Sequence, residues 1–196
     1  MNKALILLAA VPLSACISFG AKPPPSLLTL NSAAALAPGQ TQDSAGANTI
    51  TILVPAVGQA LATQRVPVQA SGTSIAYLKD AQWAELPNRL FARLLSDTVT
   101  ARTGRVVLST AQSLADPGER LTGELRNFGI DAATSEAVVT YDAVLVRKDG
   151  NVEKRRFEAR EPVSAIAPAP AGDGINKAAN TVAAQVADWV GSTKAP

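Results

Sequence analysis

Ala137-Val138-Val139-Thr140-Tyr141-Asp142-Ala143-Val144-Leu145-Val146, then Arg147-Lys148-Asp149-Gly150-Asn151, then Val152-Glu153-Lys154-Arg155-Arg156-Phe157-Glu158-Ala159: two β-prone runs flank a turn signal. The first run alternates with the period of a strand that has one face buried. Lys148-Asp149-Gly150 marks a hairpin, and the length of its loop decides which residues face each other. A two-residue Asp-Gly loop would set Leu145 and Ala143 opposite Lys154 and Arg156, placing charges against apolar partners. A three-residue loop with Gly150 in the left-handed conformation pairs Tyr141 with Phe157 and Val139 with Ala159, and sets Asp142 against Arg156. The second register keeps apolar residues on one face and opposite charges on the other, so it is the one expected.

Working outward, Thr49-Ile50-Thr51-Ile52-Leu53-Val54 is β-branched and apolar throughout. A strand hydrophobic on both faces belongs in the middle of a sheet covered by helices, and Pro55 ends it. Residues 26–30 read as a short strand ahead of an Ala, Pro and Gly-rich stretch over 33–46. Residues 65–70 read as another strand, which Pro67 moves toward an edge because proline cannot donate to a ladder; residues 74–78, 105–109 and 120–128 supply further strands. Leu86, Leu90, Phe91, Leu94, Leu95, Thr98 and Val99 recur at helical spacing, predicting an amphipathic helix from Leu86 or Pro87 to about Arg102, with Gly104 as its stop. Ile175, Ala178, Ala179, Val182, Ala183, Val186, Trp189 and Val190 predict a second helix over 175–190, begun near Asp173 and ended at Gly191. Residues 162–174 then form a long loop. The expected fold is α/β of the α+β kind: a single mixed, largely antiparallel sheet packed by two main amphipathic helices.

Composition narrows the chemistry. The chain of 196 residues has no histidine and one cysteine. Without histidine there is no Ser-His-Asp or Cys-His apparatus and no plausible zinc tetrad. No phosphate loop, dinucleotide turn or nucleophile elbow occurs. No cofactor or metal is expected, and an enzyme is not. The 18 Lys and Arg nearly balance 16 Asp and Glu, which argues against nonspecific nucleic-acid binding.

At the N-terminus, Met1-Asn2-Lys3 precedes the apolar run Ala4-Leu5-Ile6-Leu7-Leu8-Ala9-Ala10-Val11, which Pro12 interrupts. That is the layout of a secretory signal, and it is too short to span a bilayer, which takes about 20 apolar residues. Leu13-Ser14-Ala15-Cys16 closes the segment and resembles the lipobox of bacterial lipoproteins. The resemblance implies removal of residues 1–15 and acylation of Cys16, which makes the only sulfhydryl inert. It also implies an outer-membrane anchor, since Ile17 follows the cysteine where inner-membrane retention signals resemble Cys-Asp. Residues 16–26, with Pro23-Pro24-Pro25, read as a tether. At roughly 3.1 Å per residue in polyproline II it reaches about 30 Å. The domain proper is expected over 27–194.

Arg147, Lys148, Lys154, Arg155 and Arg156 form the conspicuous basic cluster. The register gives Arg156 a cross-strand carboxylate and leaves the others at a solvated hairpin end; Arg147, Lys148, Lys154 and Arg155 are candidates for contact with a lipid headgroup or a partner. The order of lipobox, early strand, hydrophobic strand, Trp83-Ala84-Glu85-Leu86-Pro87 leading into a helix, strand-rich region and terminal helix resembles the ABC-type transport auxiliary lipoproteins, the PqiC-like family. The early Leu28-Thr29-Leu30 stands where that family usually carries Tyr-x-Leu. The resemblance implies a periplasmic domain held at the outer membrane. There it would work with an MCE-domain protein and ABC transporter subunits that move lipid, either docking the periplasmic assembly or receiving lipid from it. Phospholipid and further copies of the chain are compatible partners. A structural envelope lipoprotein and a free-standing phospholipid-binding module are the alternatives.

Overall fold

The hairpin adopts the three-residue loop. In the computed structural model, which describes residues 26–43, 45, 48–114 and 118–192, Tyr141 stands opposite Phe157, Val139 opposite Ala159 and Asp142 opposite Arg156. The Arg147 N–H donates to the Asn151 carbonyl at 2.9 Å and the Gly150 N–H to the Arg147 carbonyl at 3.0 Å. Gly150 has φ +84°, a conformation that costs a residue with a Cβ and costs glycine little.

Around that hairpin the elements run in chain order as strands β1 (Thr49–Ile52), β2 (Ala56–Val57), β3 (Arg65–Ser71) and β4 (Ser74–Gln82), helix α1 (Pro87–Thr103), strands β5 (Val106–Leu108), β6 (Glu119–Asp131), β7 (Glu136–Val146) and β8 (Val152–Pro162), and helix α2 (Pro168–Gly191). β6 is the spine of one eight-stranded sheet. One of its edges pairs antiparallel with β7, which pairs antiparallel with β8. Along its other edge β1, β2 and β3 bond in succession, each parallel; β5 lies outside β1 and β4 outside β3. The short pairings are parallel and the long ones antiparallel.

Both helices cover one face of the sheet. Leu90, Phe91, Leu94, Leu95, Thr98 and Val99 of α1 are buried, as their spacing predicts. They meet Ala178, Val182, Val186 and Val190 of α2 and the inward row Val139, Tyr141, Ala143 and Leu145 of β7. Phe91 sits edge-on to Tyr141 and Phe128, and Trp83 packs against Phe128. The core is aliphatic with this small aromatic knot at one end. Ile50 and both β1 threonines, Thr49 and Thr51, are buried, as a central strand requires.

Three expectations change. α2 begins at Pro168, seven residues before the apolar repeat at Ile175, so much of the expected loop over 162–174 is helix. Proline is tolerated in a first helical turn, where its missing N–H would have had no partner. Gly172 and Gly174 then let that turn pack closely: a Cβ would meet Leu28 at 2.9 Å and Val163 at 2.6 Å respectively. Second, β3 is not an edge, because it lies between β4 and β6. Pro67 sits next to a register shift, where a ladder can spare a donor. Third, residues 26–30 make one bridge and no strand: Leu28 pairs parallel with Trp83, donating to the Gln82 carbonyl and accepting from the Ala84 N–H, each at 2.8 Å.

Candidate functional site

The two helices lie parallel, which gives the domain two distinct ends. At one, the first turn of α2 meets Leu28 and Ala137 is close to Gly174. Residues 26–28, the first of the described residues, lie at this end. At the other, Gly191 reaches Thr103 at the end of α1, and the loop between β7 and β8 closes over the end of α2. From Gly172 to Val190 at about 1.5 Å per residue, the ends lie roughly 27 Å apart.

The entering segment is fastened along α2. The Asn31 N–H donates to Asn176 Oδ1 at 2.9 Å and the Ala33 N–H to Asn180 Oδ1 at 2.8 Å, while Asn180 Nδ2 donates back to the Asn31 carbonyl at 2.9 Å. Two helix asparagines one turn apart thus satisfy an extended backbone that has no strand partner there. Asn180→Ala is expected to free this segment with little change in melting temperature. The readout is faster limited proteolysis at residues 31–43, and unaltered cleavage would contradict the fastening.

The hairpin end is held by ions. Arg105 Nη1 donates to Glu119 Oε2 at 2.7 Å, Arg147 Nη1 approaches the same oxygen at 3.5 Å, and Arg147 Nε donates to Glu153 Oε1 at 3.0 Å. The same guanidiniums donate to the Val190 carbonyl at 3.2 and 3.1 Å, and Arg147 also reaches the Ser192 carbonyl at 3.3 Å. Two cations therefore cap the C-terminal carbonyls of α2, where the helix dipole is negative. Burial opposes the Arg147 charge, and hydrogen bonds to Glu153 and Glu119 more than offset that, so its pKa stays above the ordinary value.

The sheet face away from the helices carries a polar ladder. Arg156 binds Asp142 through Nε and Nη2 at 2.5 and 2.7 Å. Arg160 reaches Glu158 at 2.9, Glu136 at 3.3 and Asp131 at 3.6 Å, and Asn127, Thr140 and Glu158 form a chain of hydrogen bonds across three strands. A groove of about 220 Å³ lies on this face near Pro67, Ile75 and Val138, rimmed by Arg126, Asp131 and Arg160. Its rim charges are already engaged within the protein.

Hydrogen bonding from Arg156 holds the Asp142 carboxyl below its usual range, and Arg160 does the same for Glu158. Folded values below unfolded ones stabilise the fold above the ordinary carboxylate range near pH 4, and that contribution is lost as pH falls through the depressed values. Asp97 acts oppositely: burial raises it, Arg93 partly offsets the rise, and its protonation in acid favours the folded state. Replacing Arg156 by Gln should therefore flatten the fall in melting temperature between about pH 5 and pH 3. A slope equal to that of the parent would contradict the assignment. The effect is modest, since these pairs are largely exposed.

Residues 29–187 match the family model of the ABC-type transport auxiliary lipoprotein component. The chain belongs to that family. Two solved structures resemble the auxiliary lipoprotein in fold. One is a Xanthomonas campestris protein of the DUF330 family, with TM-score 0.66 and 17% identity over 84% of this chain and 93% of that one. Another, described only as an uncharacterized protein, gives TM-score 0.65 and 16% identity over 73% of this chain and 92% of that one. Among curated proteins no sequence matches the chain. The family is one of transport components and not of enzymes.

Of the residues singled out from the sequence, Leu13, Ser14, Ala15 and Cys16, with nearly all of the tether, lie outside the described residues. The hairpin cations separate. Arg147, expected at a solvated end, turns inward, and its side chain is 12% exposed within the ion cluster. Lys148 sits exposed in the turn, Lys154 on the open face, and Arg155 on the helix side, its guanidinium 5.1 Å from the Phe157 ring. Arg105, Glu119, Asn176 and Asn180 were not singled out. The only local hint for any of them was Arg105 following the helix stop at Gly104. Among the described residues, no helix is long and apolar enough to cross a membrane.

Proposed function

We propose that this auxiliary lipoprotein is anchored in the outer membrane through acylated Cys16 and docks the periplasmic, MCE-domain part of an ABC lipid-transport system. The observation that carries the reading is the polarity of the domain. Residue 26, where the tether arrives, and the hairpin bearing Lys148, Lys154 and Arg155 stand at opposite ends of α2. A domain tethered at one end and standing away from the membrane presents the other end to the periplasm. Partner contact is therefore the better use of those cations. A sheet edge that is unpaired among the described residues lies beside them, and such an edge suits docking to protein better than enclosing lipid.

Localisation and function are separable in one variant. Ile17→Asp places Asp after the acylated cysteine and is expected to move the protein from outer- to inner-membrane fractions in a sucrose gradient, with loss of complementation in a deletion strain. Full complementation from the inner membrane would contradict docking at the outer membrane.

A further inference from the structure

The hairpin's second strand has one bonded edge and one free edge. Among the described residues β8 pairs with β7 alone, over eleven residues without a bulge. The bond from Arg147 N–H to the Asn151 carbonyl fixes the phase of the ladder. Odd-numbered β8 residues bond to β7, and the even-numbered Val152, Lys154, Arg156, Glu158 and Arg160 point their N–H and C=O groups outward. Pro162 falls in the same outward series and closes the edge at the tethered end, since it has no N–H to offer. The open part of the edge thus lies toward the hairpin end.

Charge selects what it would accept. Lys154 and Arg155 take part in no ion pair among the described residues, and Lys148 lies one turn away. Beside them Val144, Val146 and Val152 share the open face, with Val152 53% exposed. Buried side chains do not block the approach, because Lys154, Arg155 and Arg156 are all exposed. Resting on the docking role above, we propose that the β8 edge from Val152 to Glu158 is a strand-addition site for an extended segment of the periplasmic partner that carries carboxylates on both of its faces and an apolar residue beside Val152. Backbone bonds to the outward-facing residues would supply affinity, and Lys154 and Arg155 would set register against carboxylates. The pleat sets the pattern: Val152 and Lys154 face one side and Arg155 the other, so the segment needs one carboxylate on each face and its apolar residue two positions from the carboxylate that meets Lys154.

The test uses the full-length lipoprotein in cells, carrying the photo-crosslinker p-benzoylphenylalanine at position 154 or 158, with position 177 on the exposed side of α2 as control. Capture of an MCE-domain or ABC subunit from 154 and 158, mapped by mass spectrometry to an extended acidic segment, supports the site. Val152→Pro removes one outward N–H without breaking a bond to β7, and Lys154→Glu reverses one charge. With melting temperatures unchanged, each should cut capture from position 158 by about tenfold. Capture of a transport subunit only from 177 would overturn the strand site and leave the docking role standing. Capture at 154 of an acidic strand from a protein outside any transport system would keep the site and sink the docking role. Cross-links to lipid or to a second copy of this chain, or none from any position, would overturn the proposal.

Discussion

Glu119→Gln is expected to destabilise the domain by about 3–5 kcal/mol, the range for removing one partner from a buried ion pair. The side chains of Arg105 and Glu119 are 8% and 12% exposed, and Glu119 is the carboxylate that two guanidiniums share. Glutamine keeps the volume and an acceptor oxygen but removes the charge, so Arg105 stays buried with neutral acceptors and no counter-ion beside it. For a domain of this size the loss corresponds to a fall of roughly 10 °C in melting temperature. Arg147 still has Glu153 at 3.0 Å, which keeps part of the cap on α2. Arg105→Met combined with Glu119→Leu should recover much of the loss, since hydrophobic replacement of a whole buried pair is often neutral. Equal melting temperatures for Glu119→Gln and the parent would show that the cluster does not hold the hairpin end.

Cys16→Ser has the largest expected effect on location. Serine in that position carries no thiol for the thioether, so neither the diacylglycerol nor the cleavage that follows it should occur. Two buried acyl chains give stable anchoring where one gives only marginal binding, at about 0.8 kcal/mol per buried methylene. Metabolic labelling with palmitate should therefore disappear, with accumulation of uncleaved precursor. The domain itself should keep its melting temperature when purified, because its core is assembled from residues 28–190. Continued palmitate labelling of the serine variant would remove the lipid anchor from the account.

Much of the fold was legible where local chemistry and long-range pairing agree. The hairpin is the clearest case: alternation in residues 137–146 and the Asp149-Gly150 turn leave two registers, and charge pairing between Asp142 and Arg156 selects the observed one. α1 was equally readable, because its apolar spacing, Pro87 and Gly104 all mark the same boundaries. The start of α2 was not. Ala167-Pro168-Ala169-Pro170 has loop composition, and only packing of Gly172 on Leu28 shows why a helix begins there. Pro67 misled for a related reason, since a strand beside a register shift can be interior and still lack a donor.

The site was less legible than the fold. Arg147 looks like its neighbours Lys148 and Lys154 in sequence, yet it meets carboxylates 28 and 6 residues away in the chain and the end of a helix 43 residues on. Nothing local distinguishes a cation that caps a distant helix from one that faces water. The outward phase of the β8 backbone likewise depends on the turn bond between Arg147 and Asn151. The tether and hairpin ends become opposite only once the helices are seen to run parallel.

Affinity isolation of the acylated protein from detergent-solubilised outer membranes, with the bound proteins identified and quantified, tests the docking role most directly. Co-isolation of an MCE-domain protein and ABC transporter subunits in fixed ratio is expected, reduced by Lys154→Glu at unchanged melting temperature and retained when the groove at Ile75 is altered. Isolation of the lipoprotein with peptidoglycan or outer-membrane barrel proteins, and without any transport subunit, would contradict it.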